Sequence, residues 1–307
     1  MILKRCFPAL PGLAWICLTL SAAGGEPRAS VWTSLPPLAW LTRHIAGETI
    51  SVNSLLSPGQ DPHTFSPRPK ELVALKDARF FLHCGTDFEQ VLAKKIHAMS
   101  PEMVVENVWT DPDHAKEGGL GAGHGESAHE GHQHGHDCSV HADGKDPHVW
   151  MSPVNLIRMA GQITTLLAAQ FPDQQKVFTA NLADLTKSLR AADTDFAGRL
   201  AAIKGTTFYV YHPAFGHFAD RYHLIQKAVE VEGKTPTPKQ LLSVIQSARK
   251  EGVTTIIASP QFSERSSRIL ARKIGGTVVK VDPLNPDPLA AMRQLTDALL
   301  GETSATP

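Results

Sequence analysis

The chain has 307 residues, enough for two domains of ordinary size with a core each. A hydrophobic content of 42% and a charged content of 20% exclude a disordered or fibrous class. Thirty basic residues balance thirty acidic ones, so no net field favours nucleic acid or an anionic membrane surface, and neither is expected as a partner.

Residues 1–24 read as a secretory signal peptide: Lys4 and Arg5, an apolar run from Cys6 to Leu20, then Ser21, Ala22, Ala23 and Gly24, with cleavage expected near Ala23. The run is short for a bilayer and contains Pro8 and Pro11, which argues against a retained anchor. Cys17 follows Ala14, Trp15 and Ile16, which make no convincing lipobox, so a lipoprotein is the lesser alternative. The mature protein is therefore expected in the periplasm, as a monomer. Cys84 and Cys138 remain after cleavage, and an oxidising compartment permits them to pair without requiring it.

From residue 25 to about 170 the pattern is that of an N-terminal α/β lobe. Strands are expected at Ser30 to Leu35, Ile50 to Leu56, Ala78 to His83 and Met103 to Trp109, alternating with helices at Leu38 to Ala46, Pro69 to Lys76 (with Ser66 and Pro67 as cap and first turn) and Phe88 to His97. Periodicity vanishes between Asp111 and Asp146, where Gly, His, Glu and Ala dominate, so a disordered loop is expected there. Ser152 and Pro153 then start a helix through Ala169. A second helical pattern covers about 171–203 as a linker; with few breakers from Asp173 to Ile203 it would be roughly 45 Å long, enough to brace two lobes.

The C-terminal lobe, 204–307, repeats the first. Strands are expected at Thr206 to Tyr211, Leu224 to Val231, Val253 to Ser259 and Thr277 to Val281, with helices at Phe215 to Tyr222, Pro238 to Glu251, Glu264 to Ile274 and Pro288 to Leu300. The expected fold is thus α/β: two lobes, each a four-stranded parallel sheet flanked by helices, joined by one long helix.

Open parallel sheets bind ligands beyond the carboxyl ends of their strands, and four metal-ligand side chains fall there or at a loop end. His63 follows the second strand in Asp61-Pro62-His63-Thr64-Phe65, and His148 closes the low-complexity loop in Asp146-Pro147-His148-Val149-Trp150. The shared Asp-Pro-His tripeptide has a proline that restricts the backbone beside each imidazole. His212 and Asp282 end the first and last strands of the second lobe, although Asp282, before Pro283, equally suits a turn or helix cap. Three imidazoles and a carboxylate make a four-coordinate set suited to Zn²⁺, whereas a second carboxylate would favour harder ions such as Mn²⁺.

The segments Pro58 to Pro69, Asp146 to Pro153, Tyr209 to Tyr222 and Val229 to Asp282, with the run Glu232-Gly233-Lys234-Thr235-Pro236-Thr237-Pro238, resemble the metal-binding solute-binding proteins of zinc and manganese ABC importers. That resemblance implies metal bound in a cleft between lobes, His63, His148 and His212 as ligands, and Asp282 where the family places an aspartate. It implies delivery of Zn²⁺ to an inner-membrane permease with its cytoplasmic ATPase, and no catalysis. Some zinc members use a glutamate just before the first histidine; here that residue is Pro62, which leaves Asp282 or water as fourth ligand. A manganese-carrying or adhesin-like member is the nearer alternative. A zinc hydrolase is the remoter one, since no His-Glu-x-x-His motif supplies a general base.

Seven further histidines lie in the loop: His114, His124, His129, His132, His134, His136 and His141. Such a tract binds divalent ions weakly and without fixed geometry, so it is expected as a secondary, low-affinity zinc site. Glu230 and Glu232 are candidates for orienting an imidazole. His217 and His223 read as helix positions off the cleft-facing side, lying behind the ligands or on the surface, and His44, His83 and His97 have no partner visible in sequence.

Overall fold

The computed structural model describes residues 30–76, 78–110, 146–230, 236–262 and 264–302. Expectations for the signal peptide, for Glu232, for Cys138 and for the seven loop histidines therefore lie outside the described residues.

Two parallel sheets form, each with four strands and the same order. In the first, β1 (Ser30–Thr33) lies between β2 (Ser51–Ser54) and β3 (Phe80–His83), and β4 (Val104–Asn107) is the outer strand beside β3. In the second, β5 (Thr207–Val210) lies between β6 (Ile225–Ala228) and β7 (Thr255–Ala258), with β8 (Thr277–Lys280) beyond. The strands are shorter than the apolar runs that announce them, because only the residues that find a register partner on a neighbouring strand keep a ladder, as in Val31 opposite both Val52 and Phe80.

Helices α1 (Pro36–Ala46), α2 (Pro69–Leu75) and α3 (Asp87–Met99) belong to the first sheet. Helices α6 (Gly216–Tyr222), α7 (Pro238–Lys250), α8 (Glu264–Ile274) and α9 (Pro288–Leu300) belong to the second. Proline sits in the first turn of α1, α2, α7 and α9, where its missing N–H costs nothing and its fixed φ suits the helix. The α2 start differs from the expected Ser66-Pro67: Arg68 is the cap, its N–H bonded to Glu71 Oε2 at 2.7 Å.

Between the lobes run α4 (Pro153–Gln170) and α5 (Gln175–Arg199), linked by a 3₁₀ turn at Pro172–Gln174. The linker is not one uninterrupted helix: α5 spans 25 residues, roughly 38 Å, and a second 3₁₀ turn at Ala201–Ile203 ends it. Phe178, Leu189 and Phe196 on α5 are fully buried. They belong to one apolar cluster that runs without a break from Val31 and Phe80 of the first sheet through Ile163 and Leu167 of α4 to Phe208 and Val210 of the second. Smaller clusters fill the outer face of each sheet, around Phe81 and Leu92 in one and Tyr209 and Ile256 in the other.

Candidate metal centre

Each lobe delivers histidines to the facing ends of its strands. Beyond β2 the chain turns at Asp61, whose Oδ1 accepts the His63 N–H at 2.9 Å and whose Oδ2 accepts the Thr64 hydroxyl at 3.2 Å. This carboxylate builds the turn and places His63, an exposed residue, at its tip. In the second Asp-Pro-His, Asp146 Oδ1 accepts both the His148 N–H at 2.9 Å and Nδ1–H at 2.7 Å, so one carboxylate fixes backbone and ring together. His212 follows β5, and Glu230 follows the neighbouring strand β6. The two are locked in register by the Glu230 N–H to Tyr211 carbonyl bond of 3.1 Å, and His212 Nδ1 lies 2.6 Å from Glu230 Oε1. Phe262 stacks on the His212 ring with centroids 4.6 Å apart.

His63, His148 and His212 converge, with one ring nitrogen from each within 4.8 Å of the others. His63 Nε2 and His148 Nε2 each lie 3.3 Å from His212 Nε2. A carboxylate facing Nδ1 requires the proton there, which leaves the Nε2 of His148 and of His212 as lone pairs aimed at each other. Two lone pairs at that range repel, and a cation between them removes the conflict. Two bonds of ~2.0–2.1 Å at a tetrahedral angle hold their nitrogens roughly 3.3 Å apart, the spacing found here.

Asp282 does not join the group. Its Oδ1 accepts Gln261 Nε2–H at 2.6 Å and the Leu284 N–H at 2.9 Å, while its carbonyl accepts the Asn285 N–H at 3.1 Å. This is the turn-capping arrangement that the sequence held open as the alternative. Glu230 is buried against His212, in line with the orienting role expected of it. Asp146 is a partner that the sequence signals only by its place two residues before His148, a spacing from which a short carboxylate reaches both the N–H and the ring. Among the other histidines, His217 lies behind the ligands, its Nε2 2.9 Å from the Asp146 carbonyl. His83 is buried and its pKa falls to about 4 because burial disfavours the imidazolium, so it is neutral at pH 7. His44 bonds the carbonyl of Trp40, and His97 and His223 are exposed.

A cavity of about 650 Å³ opens on the first-lobe side of the three histidines, with His63 and His148 in its wall beside Phe88, Trp109 and Trp150. Thr110 and Asp146, the residues on either side of the undescribed segment, also line it. At its edge, burial pushes the Cys84 thiol up, and the nearby Glu89 carboxylate adds to the shift. Among the described residues no helix is long and apolar enough to cross a membrane.

The fold has known counterparts. A crystal structure of ZnuA superposes with a TM-score of 0.77 at 27% identity, covering 90% of this chain and 99% of that one. The laminin-binding protein Lmb of Streptococcus agalactiae, described as having adhesin and metal-transporting activity, superposes at 0.71 with 20% identity and covers 89% of this chain, a likeness of fold alone. The zinc-binding lipoprotein AdcA of Streptococcus pneumoniae is 28% identical over 281 residues, 89% of this chain but 54% of that protein. The chain thus spans about half the length of the streptococcal relatives it matches. A putative metal-binding protein of Treponema pallidum is 28% identical over 245 residues, 78% of this chain and 74% of that one. Residues 31–300 match the family described as ZnuA, zinc-uptake complex component A, periplasmic, and with two like-ordered parallel sheets and three convergent histidines the chain belongs to that family of ABC-transporter solute-binding proteins.

Proposed function

We propose that the protein captures one Zn²⁺ in the periplasm on His63, His148 and His212 and hands it to a membrane permease powered by a cytoplasmic ATPase. The observation that carries this is the 3.3 Å spacing of the Nε2 atoms of His148 and His212, whose Nδ1 atoms each face a carboxylate. Three neutral imidazoles favour zinc over the harder manganese ion, which prefers carboxylate oxygens. Water is proposed as the fourth ligand, because Oδ1 of Asp282 is engaged in its own turn. His63 is exposed while the other two are buried, so it is the ligand through which metal enters and leaves. The protein is proposed to act by binding, not catalysis, and the streptococcal AdcA relatives are named as zinc-binding proteins.

Calorimetry and elemental analysis on the mature chain test this. One tight zinc per protein is expected, with manganese unable to displace it. His148→Ala and His212→Ala should each weaken binding by a hundredfold or more, on the order of 3 kcal/mol. Tight zinc retained in both variants, or manganese bound in preference, would refute the reading. Residues 114–141 are proposed to hold further zinc weakly; deleting them should lower total stoichiometry and leave the one tight site intact.

A further inference from the structure

Asp146 touches more of the molecule than a partner of one imidazole needs to. While Oδ1 serves His148, its backbone carbonyl faces His217 of α6, and the His217 ring meets Trp109 edge-on with centroids 6.3 Å apart. Its other carboxylate oxygen, Oδ2, is shut off from solvent and accepts no hydrogen bond among the described residues. That oxygen rests on Gly216, the first residue of α6. A Cβ at 216 would collide with Oδ2 and lie 3.3 Å from Cγ. The carboxylate cannot step aside at little cost, because Oδ1 is held by two bonds to His148; to displace it is to turn or abandon that imidazole.

Gly216 is not needed for its backbone, since it is absent from the glycines of positive φ. In a helix, alanine would otherwise be the better residue by up to about 1 kcal/mol. What excludes a side chain is Asp146. The same connection also carries His212, four residues earlier, braced by the Ala214 N–H to His212 carbonyl bond of 2.9 Å and by the Phe215 N–H to Gln226 Oε1 bond of 2.8 Å.

The geometry points to Gly216 as a positioning residue of the metal centre: its bare Cα lets the second lobe seat against Asp146 and so sets His148 at its working distance from His212. This inference rests on the three-histidine site proposed above. A residue that touches no ligand thereby governs metal affinity, and it does so only through the Asp146 carboxylate.

The test is a cycle in the full-length mature chain of G216A, D146A and D146A/G216A, with zinc affinity read by chelator competition and metal-free stability by thermal unfolding. G216A should weaken zinc binding about ten- to hundredfold, the cost typical of disturbing a ligand's orienting partner, with a metal-free melting temperature that falls no further than that of D146A. D146A should lose a similar factor, and adding G216A to it should cost nothing more, because the obstructing oxygen has gone. D146N, which keeps an oxygen for His148, should recover part of what D146A loses. Should G216A fail to fold, a folded double variant with the affinity of D146A would carry the same conclusion. Unchanged affinity in G216A, or an equal loss in both backgrounds, overturns the inference and leaves the metal centre standing. A parent protein that takes up no zinc overturns the metal centre itself.

Discussion

The smallest scale at which the site can be understood is the pair of imidazole and carboxylate. His212 and Glu230 are both about 5% exposed, and their 2.6 Å contact holds the ring in the tautomer that leaves Nε2 bare. Glu230→Gln should keep the ring in place but offers a neutral acceptor, or a donor if the amide turns, so the imidazole becomes a poorer base. Zinc affinity is expected to fall about tenfold, and about ten- to hundredfold for Glu230→Ala, measured by competition with a chromogenic chelator. Affinity should also fall in acid, since protons compete for the ligand nitrogens. Calorimetry at pH 7.5 and 5.5 checks this, and equal affinities would speak against histidine ligation. At this scale much was legible in sequence: His63, His148 and His212 stand where strands or a loop end. Asp282 stood in an equally suggestive place, and only coordinates show its oxygen committed to Gln261 and Leu284. A strand end tells where a side chain starts, not which way it turns.

Among elements, α5 carries the polar ties that hold the second lobe in place. Asp193 Oδ1 accepts Arg221 Nε–H at 2.9 Å and the Tyr222 hydroxyl at 3.0 Å, which fastens α6 to the long helix. The Arg221 hydrogen bonds hold the Asp193 carboxyl below its usual range, burial works against them, and Tyr222 adds to the lowering. A carboxyl with a depressed folded pKa adds stability that is present above about pH 4, the value of an unfolded aspartate, and lost as pH falls through the folded value. Asp193→Asn should therefore cost about 1 kcal/mol in urea unfolding at pH 7, and the gap from the parent should narrow below pH 4. A gap that widens in acid would contradict the assignment. The elements themselves were readable because β-branched runs alternate with capped amphipathic stretches. The length of the linker was not: Gly198 is the one helix-weakening residue between Gln175 and Ile203, and nothing in propensity tells an α-helical end from a 3₁₀ turn. The partner of His217 was hidden for a similar reason: helical phase says which face it occupies but not that α6 presents that face to Asp146.

For the molecule as a whole, the two lobes meet in more than the metal site. Trp150, two residues after His148, sends its Nε1–H across to the Pro283 carbonyl at 2.7 Å inside the protein. Trp150→Phe keeps most of the packing and strands that carbonyl, so a loss of about 1–3 kcal/mol is expected in denaturant unfolding of the metal-free protein. An unchanged midpoint would show that the bridge contributes nothing. Neither half of the sequence foretold this bond, because a contact between residues 133 positions apart follows from how the lobes close, not from local pattern.

The unbroken apolar cluster that threads both sheets and the helices between them has a further consequence. Expressed alone, residues 204–302 would present the raw faces of Phe208, Phe215 and Phe218 to water, all of them covered in the whole chain, and should aggregate instead of folding. Heating the intact protein should likewise give a single calorimetric peak for melting, in which neither sheet survives the loss of the other. A chain built this way is one cooperative solid, and any motion between its lobes must be small enough to leave that shared interior intact.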